Sequence, residues 1–311
     1  MKPVVTVTLN PAIDQTLSIP GFAAGRVNRV VESRSDAGGK GVNVSSVLSD
    51  LGVEVIATGF LGADNTALFE NFFERKGIAD HFVRIAGSTR AGIKIVDDQM
   101  RQTTDVNFPG LMPKDEELGE LFDRIVSLAE PGRWFVLSGS VPAGMPDDVY
   151  ARMIAAIHDK AGRVVLDTSG RPLKAALAGR PEVMKPNVEE LGELAGRALD
   201  TPAAVRAAGE ALLERGVERV VVSMGGEGAV FMDRERALLA RPPAVTVRST
   251  VGAGDAMVAG LVYAMIHELP LAELARTATA SGAYAVTRIG SGIEDPEEFR
   301  ALRGRVEIES S

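Results

Sequence analysis

The 311-residue chain contains no cysteine, which excludes a disulfide framework and any thiolate metal site. No apolar run approaches the roughly 18 residues needed to cross a bilayer. The stretch Met1-Lys2-Pro3-Val4-Val5-Thr6-Val7 enters a strand at once, without the layout of a signal peptide. A cytoplasmic protein that does not bind membranes is therefore expected. Basic residues are outnumbered, 34 Lys and Arg against 42 Asp and Glu, giving 34 − 42 = −8. That deficit argues against a general nucleic-acid binder, which needs a basic face. An anionic ligand would instead depend on a local cluster of Lys, Arg and backbone N–H groups. Internal repeats, low-complexity tracts and the GxGxxG of dinucleotide folds are also missing.

What is present is an ordinary globular composition, 45% hydrophobic and 24% charged, in a chain long enough for one large α/β domain. Strand-like runs (4–9, 53–60, 134–137, 163–167, 219–223) alternate with helical ones (42–51, 65–75, 146–160, 202–215). This βαβα rhythm predicts a mostly parallel sheet with helices on both faces. Residues 14–31 and 89–108 break the rhythm with short alternating segments and no helix between them. They read as antiparallel strands that leave the main sheet and form a small lid, or else as a decorated surface hairpin. The tail, 304–311, is expected to be poorly ordered.

Ser249-Thr250-Val251-Gly252-Ala253-Gly254-Asp255 follows the strand-like Val245-Thr246-Val247 and precedes good helix formers. Small residues let the backbone turn sharply near a ligand, and N–H groups at a helix start point outward. Such a nest binds phosphate oxygens, and Asp255 beside it is placed to take a proton from an attacking hydroxyl. Read alone, the loop is equally a Gly-rich connector ending in an N-cap aspartate. Ala37-Gly38-Gly39-Lys40-Gly41-Val42-Asn43 is a second Gly-rich loop opening a helix. It is not a P-loop, because Gly41 follows the lysine and Arg34 stands where the first glycine would be. Its bare N–H groups, Lys40 and the Asn43 amide suit a hydroxylated, phosphorylated ligand. In Lys185-Pro186-Asn187-Val188-Glu189-Glu190, Asn187 and Glu190 sit three apart at a helix start. They make either a capping box or an oxygen pair that holds Mg²⁺ through water. The turn Ser223-Met224-Gly225-Gly226-Glu227-Gly228 is a β-hairpin or a nucleotide rim.

These pieces, in this order and with Thr8-Leu9-Asn10-Pro11-Ala12-Ile13-Asp14 ahead of them, resemble the ribokinase-like (PfkB) sugar kinases from Val4 to about Phe299. The similarity is greatest to the branch that phosphorylates fructose 1-phosphate, carried by Thr104-Asp105-Val106-Asn107-Phe108 and Ser138-Gly139-Ser140-Val141-Pro142. Branches acting on tagatose 6-phosphate or fructose 6-phosphate share most of these motifs. The resemblance implies a single Rossmann-like kinase domain over 1–311, a β-sheet lid used for homodimerisation, and ATP with Mg²⁺. It implies Asp255 as catalytic base, with Gly252, Ala253 and Gly254 in the anion hole. Sugar-phosphate contacts are implied for Asp14, Gly38, Gly39, Lys40, Asn43, Asn107 and Ser140. Arg90, helped by Arg26, would meet the substrate phosphate. The nucleotide side would comprise Lys185, Asn187, Ser249, Thr250 and the turn Ser223, Met224, Gly225, Gly226, Glu227, Gly228. Mg²⁺ would lie beside Asn187 and Glu190. Some relatives bind a monovalent cation through an Asp and a Thr, where this chain has Ser249 and Val251, so that ion is not expected. A kinase for neutral sugars is disfavoured by Lys40 and Arg90. The alternative of another class is a non-catalytic sugar-phosphate sensor, which would not need the phosphoryl-transfer parts.

Overall fold

The computed structural model describes residues 2–100 and 102–310. The first half runs β1 (Val4–Thr8), β2 (Ala12–Ser18), β3 (Glu32–Gly38), α1 (Lys40–Asp50), β4 (Val55–Gly62), α2 (Ala67–Lys76), β5 (Ala79–Asp80), β6 (Val83–Ile85), β7 (Ala91–Asp97) and β8 (Gln102–Asn107). Next come α3 (Asp115–Leu128), β9 (Trp134–Ser138), α4 (Val149–His158), β10 (Arg163–Asp167), α5 (Gly170–Ala176), β11 (Val183–Met184), α6 (Val188–Ala195), α7 (Pro202–Glu214) and β12 (Arg219–Ser223). The chain ends with β13 (Ala229–Met232), β14 (Ala237–Arg241), α8 (Ala253–Ile266), α9 (Leu271–Ala285), α10 (Pro296–Gly304) and β15 (Glu307–Ser310).

The large sheet has the order β15-β14-β13-β12-β11-β10-β9-β1-β4-β5, with β6 also on β4. From β12 through β5 every pairing is parallel, and β13 to β15 continue it antiparallel. Alternation along each strand divides the core into two layers. Val136, Val165 and Val221 pack with α1, α2, α8, α9 and α10. Phe135, Leu137, Val164, Leu166, Val220 and Val222 face α3, α4, α5 and α7. The helix-on-both-faces expectation is met.

A second, four-stranded sheet has the order β3-β2-β7-β8. It uses the two stretches that broke the rhythm, with three differences. The β2–β7 pairing is parallel, residues 19–31 form no strand, and the fourth strand is Glu32–Gly38. That segment, ESRSDAG, has little strand propensity of its own and is held by seven register pairs with β2. Arg101, inside the second stretch, lies outside the described residues. Val245–Val247 is not a strand; Pro242 and Pro243 stop β14 by removing ladder donors. The tail is ordered further than expected, since Glu307–Ser310 adds to the free edge of β14; Ser311 is outside the described residues. No helix among the described residues is long and apolar enough to cross a membrane.

Candidate active site

The parallel strands deliver their C-terminal ends to one edge, where open α/β sheets bind ligands. Chain order reverses between β1 and β9. At that crevice the Asn10 amide donates to Ser140 Oγ at 3.1 Å.

Helix α1 starts hard against the end of β1. Its N-cap Gly39 has φ 118°, and a Cβ there would lie 2.9 Å from Thr8 Cγ2, so only glycine fits the turn. Lys40 and Asn43 then project from one side of the first turn. Asn43 Nδ2 donates to Asp255 Oδ2 at 2.8 Å. Lys40 Nζ lies 3.3 Å from Asp167 Oδ2, while Lys185 Nζ reaches Asp167 Oδ1 at 3.1 Å. Asp167 ends β10, is 1% exposed, and has an ammonium group facing each carboxylate oxygen. Burial acts to raise its pKa, but Lys185 and Lys40 outweigh it and hold the group below the ordinary range. Burial acts to lower the Lys40 pKa, and Asp167, Asp255 and Glu190 together turn that into a rise.

Asp255 is 7% exposed. Its pKa is pushed up to about 6, first by burial and next by the Asp167 charge, against the Asn43 hydrogen bond and the two lysines. It sits in the first turn of α8, whose N-cap Gly252 has φ 80°. The Ala253 N–H reaches the Thr250 carbonyl at 3.4 Å, while those of Gly254 and Asp255 have no intrahelical acceptor and lie at the helix start beside the carboxylate. α8 is packed closely on α9, since a Cβ on Gly260 would fall 2.4 Å from Ser281 Oγ. The loop is thereby fixed on a rigid element.

Two clefts meet at this loop. One, about 570 Å³, is lined by Ser223, Gly225, Gly226 and Gly228, by the apolar Pro242, Pro243, Val245 and Val247, and by Thr250, Ala253 and Gly254. Its volume and mixed apolar and backbone walls suit a nucleotide. The other lies under the small sheet, between Asp14, Thr16, Asp36 and Lys94 on one side and Asn43, Ser249 and Gly252 on the other. Gly38 backs directly onto Asp14, with room for no Cβ. Nearby, Arg90 Nε donates to Asn10 Oδ1 at 3.0 Å, and its Nη atoms reach the carbonyls of Asn10 and Phe108 at 3.4 Å. Asn107 lies opposite Gly92 in the β7–β8 ladder.

The sequence-predicted residues divide accordingly. Asp14, Gly38, Gly39, Lys40, Asn43, Lys185 and Gly252 to Asp255 converge on the crevice and its clefts. The turn after β12 is both a hairpin and a cleft rim, but Met224 packs against the core and Glu227 is exposed, 3.5 Å from Arg241. Ser249, read with the nucleotide, lines the other cleft. Asn187 and Glu190 do form a capping box. Arg26 is exposed between β2 and β3, and its side chain makes no hydrogen bond or ion pair among the described residues. Two residues at the site, Asp167 and Lys94, escaped sequence reading. The only signal for Asp167 was an acid at the end of an apolar strand, and for Lys94 a charge on the polar side of an alternating one.

A family model described as pfkB family carbohydrate kinase matches residues 3–298. The chain is 47% identical over 308 residues to a 1-phosphofructokinase of Rhodobacter capsulatus, covering 99% of this chain and 98% of that one. It is 37% identical to a 1-phosphofructokinase of Escherichia coli K12, with 98% of each covered. Among solved structures, Escherichia coli phosphofructokinase-2 in complex with potassium superposes with a TM-score of 0.92 at 28% identity, covering 98% and 99%.

Proposed function

The chain belongs to the pfkB family of carbohydrate kinases, and from that premise we propose that it transfers the γ-phosphoryl group of ATP to the free primary hydroxyl of fructose 1-phosphate, giving fructose 1,6-bisphosphate. One observation carries the mechanism. Asp255, its pKa raised towards neutrality, lies at the start of α8 within hydrogen-bonding reach of Asn43 and across from the Asp167-anchored lysines. Asp255 takes the proton from the attacking O6 hydroxyl. The first-turn N–H groups of α8 donate to oxygens of the transferred phosphoryl group and offset the charge spread over it. Asp167 holds Lys40 and Lys185 so that both ammonium groups face the triphosphate without needing to reorganise. Arg90, whose guanidinium is hydrogen-bonded among the described residues only to an amide and two carbonyl oxygens, is the cation for the substrate phosphate.

The donors at the start of α6 suit Mg²⁺. Glu190 commits Oε2 to the Asn187 N–H at 2.9 Å and keeps its other oxygen without a hydrogen-bond partner among the described residues. Bound there through water, the ion would offset charge on the phosphates of ATP. The small sheet serves as a lid that excludes water from the sugar cleft, which protects ATP from hydrolysis. Its outer surface is the interface of a homodimer. A cytoplasmic location follows from the two substrates, both polyanions that do not cross a bilayer unaided.

The test is an ADP-release assay with Mg-ATP and fructose 1-phosphate, fructose 6-phosphate, tagatose 6-phosphate or free fructose. A kcat/KM for fructose 1-phosphate about a hundredfold above the rest is expected, a difference of roughly 2.7 kcal/mol in transition-state binding. Preference for a 6-phosphate would move the chain to a sister branch, and no turnover with any of them would favour a sensor.

A further inference from the structure

Lys94 has no part in the reaction above, yet it lines the cleft that reaches Asn43, the hydrogen-bond partner of the base. It lies mid-strand on β7, in register with Thr16 of β2 and Asp105 of β8. Residues two apart share a face, so Lys94 projects on the same side as Gly92, which pairs with Asp14. Lys94 Nζ is 3.2 Å from Asp14 Oδ2, with the two side chains 18% and 26% exposed. Both line the cleft that reaches Asn43 and Gly252, and Asn43 bonds the base.

We infer that Lys94 is a specificity-determining residue which, with Asp14, grips two neighbouring hydroxyls of the sugar rather than its phosphate. Charge balance decides between the two. Among the described residues Arg90 donates to no carboxylate, although the Asp14 charge acts on it through space, so its guanidinium is available to a phosphate. The charge of Lys94 is already matched by Asp14. Asp36 lines the same cleft but is paired with Arg34 at 2.8 Å, while Asp105 is directly across the ladder from Lys94. A phosphate dianion at Lys94 would therefore displace or face Asp14, with Asp105 adding to the repulsion. A neutral diol would not be repelled, because one hydroxyl donates to Asp14 while its neighbour accepts from Lys94. The 3.2 Å separation of the pair is comparable with that of oxygens on adjacent ring carbons. Gly92 keeps the space over the pair open, since a Cβ there would approach Asp14 Oδ1 to 2.9 Å.

The inference rests on the ketohexose-phosphate reading, and one set of assays separates the two. Lys94→Met keeps the alkyl stem and removes the donor. It is assayed with fructose 1-phosphate and its 3-deoxy and 4-deoxy analogues, with ATP varied in parallel. The substitution should raise the sugar KM about 10- to 100-fold, the range for a hydrogen bond to a charged group, and leave the ATP KM within about twofold. Deleting the hydroxyl that Lys94 reads should cost the wild type a similar factor and the variant less than about threefold, because the two losses are coupled. An unchanged sugar KM, or equal discrimination against both analogues by wild type and variant, would overturn the role of Lys94 alone. Wild type inactive on every sugar phosphate would overturn the kinase reading and this inference with it. The melting temperature and ATP KM report folding of the variant, and Lys94→Gln replaces it if the Met variant does not fold.

Discussion

At Asp255, chemistry and stability pull in opposite directions. A base serving a sugar hydroxyl near neutral pH gains from a pKa above the ordinary aspartate value, and burial supplies it, with Asp167 adding to the rise to about 6. Because kcat/KM follows the free enzyme, it should fall with unit slope as pH drops below about 6. Asp167→Asn removes a like charge, so that limb should move to lower pH, while kcat falls as Lys40 and Lys185 lose their anchor. A limb that stays in place would mean the two carboxylates do not interact in solution. The same shift makes a stability prediction. A raised folded-state pKa contributes stability that is fully present below the unfolded value, about 4, and lost as pH rises through about 6. Above that, wild type carries a buried charge at a cost of roughly 2–3 kcal/mol. Asp255→Asn should lower kcat at least about a hundredfold, yet melt several degrees higher than wild type at pH 8 and no higher at pH 4. Near-wild-type turnover, or identical melting at both pH values, would remove Asp255 from the role of base.

Among the elements, helix starts announced themselves and isolated charges did not. The loops opening α1 and α8 were legible because their small residues answer to two demands at once. Gly39 and Gly41 leave N–H groups open to a ligand, and they also let α1 meet β1, since a Cβ on Gly41 would fall 2.3 Å from Thr8 Oγ1. A composition under both constraints stands out from its surroundings. Asp167 answers to only one demand, and a lone acid closing Arg163-Val164-Val165-Leu166 looks like any strand end until the fold brings Lys40 and Lys185 to it from 127 and 18 residues away. Lys94 is hidden the same way, because a half-buried strand is expected to show a polar residue at alternate positions. Of the strands that were missed, β3 and β15 have polar or mixed sequences. Pairing stabilises both, β3 on β2 and β15 on the open edge of β14, and partners in the ladder are tertiary facts that local propensity does not carry. Val245–Val247 fails in the opposite sense. Its β-branched residues favour a strand, but the prolines before it break the ladder and leave it as an apolar wall of the cleft proposed for the nucleotide.

The whole molecule leaves one surface unaccounted for. The small sheet turns Asp14, Thr16 and Lys94 towards the sugar cleft, so register places Gln15, Leu17, Ile93, Ile95 and Val106 on its other face, none of them fully buried. Beside them, Val27, Val31 and Met100 are 83%, 68% and 65% exposed. An apolar patch flanked by open strand edges calls for a partner, and a two-fold copy of the same sheet is the closed solution. We expect light scattering at micromolar concentration to give twice the 32.8 kDa chain mass. The pair Val31→Glu and Met100→Glu should return it to one. The kinetic consequence then distinguishes an interface from a mere contact. The cleft proposed for the sugar takes part of its lining from the small sheet, whereas the one proposed for the nucleotide is lined by the turn after β12, the β14–α8 loop, α8 and α9. Separating the copies should therefore raise the sugar KM several-fold and leave the ATP KM close to its original value. A monomeric wild type would discard the interface, and equal losses for both substrates would indicate general destabilisation instead of a roof held in place by its partner.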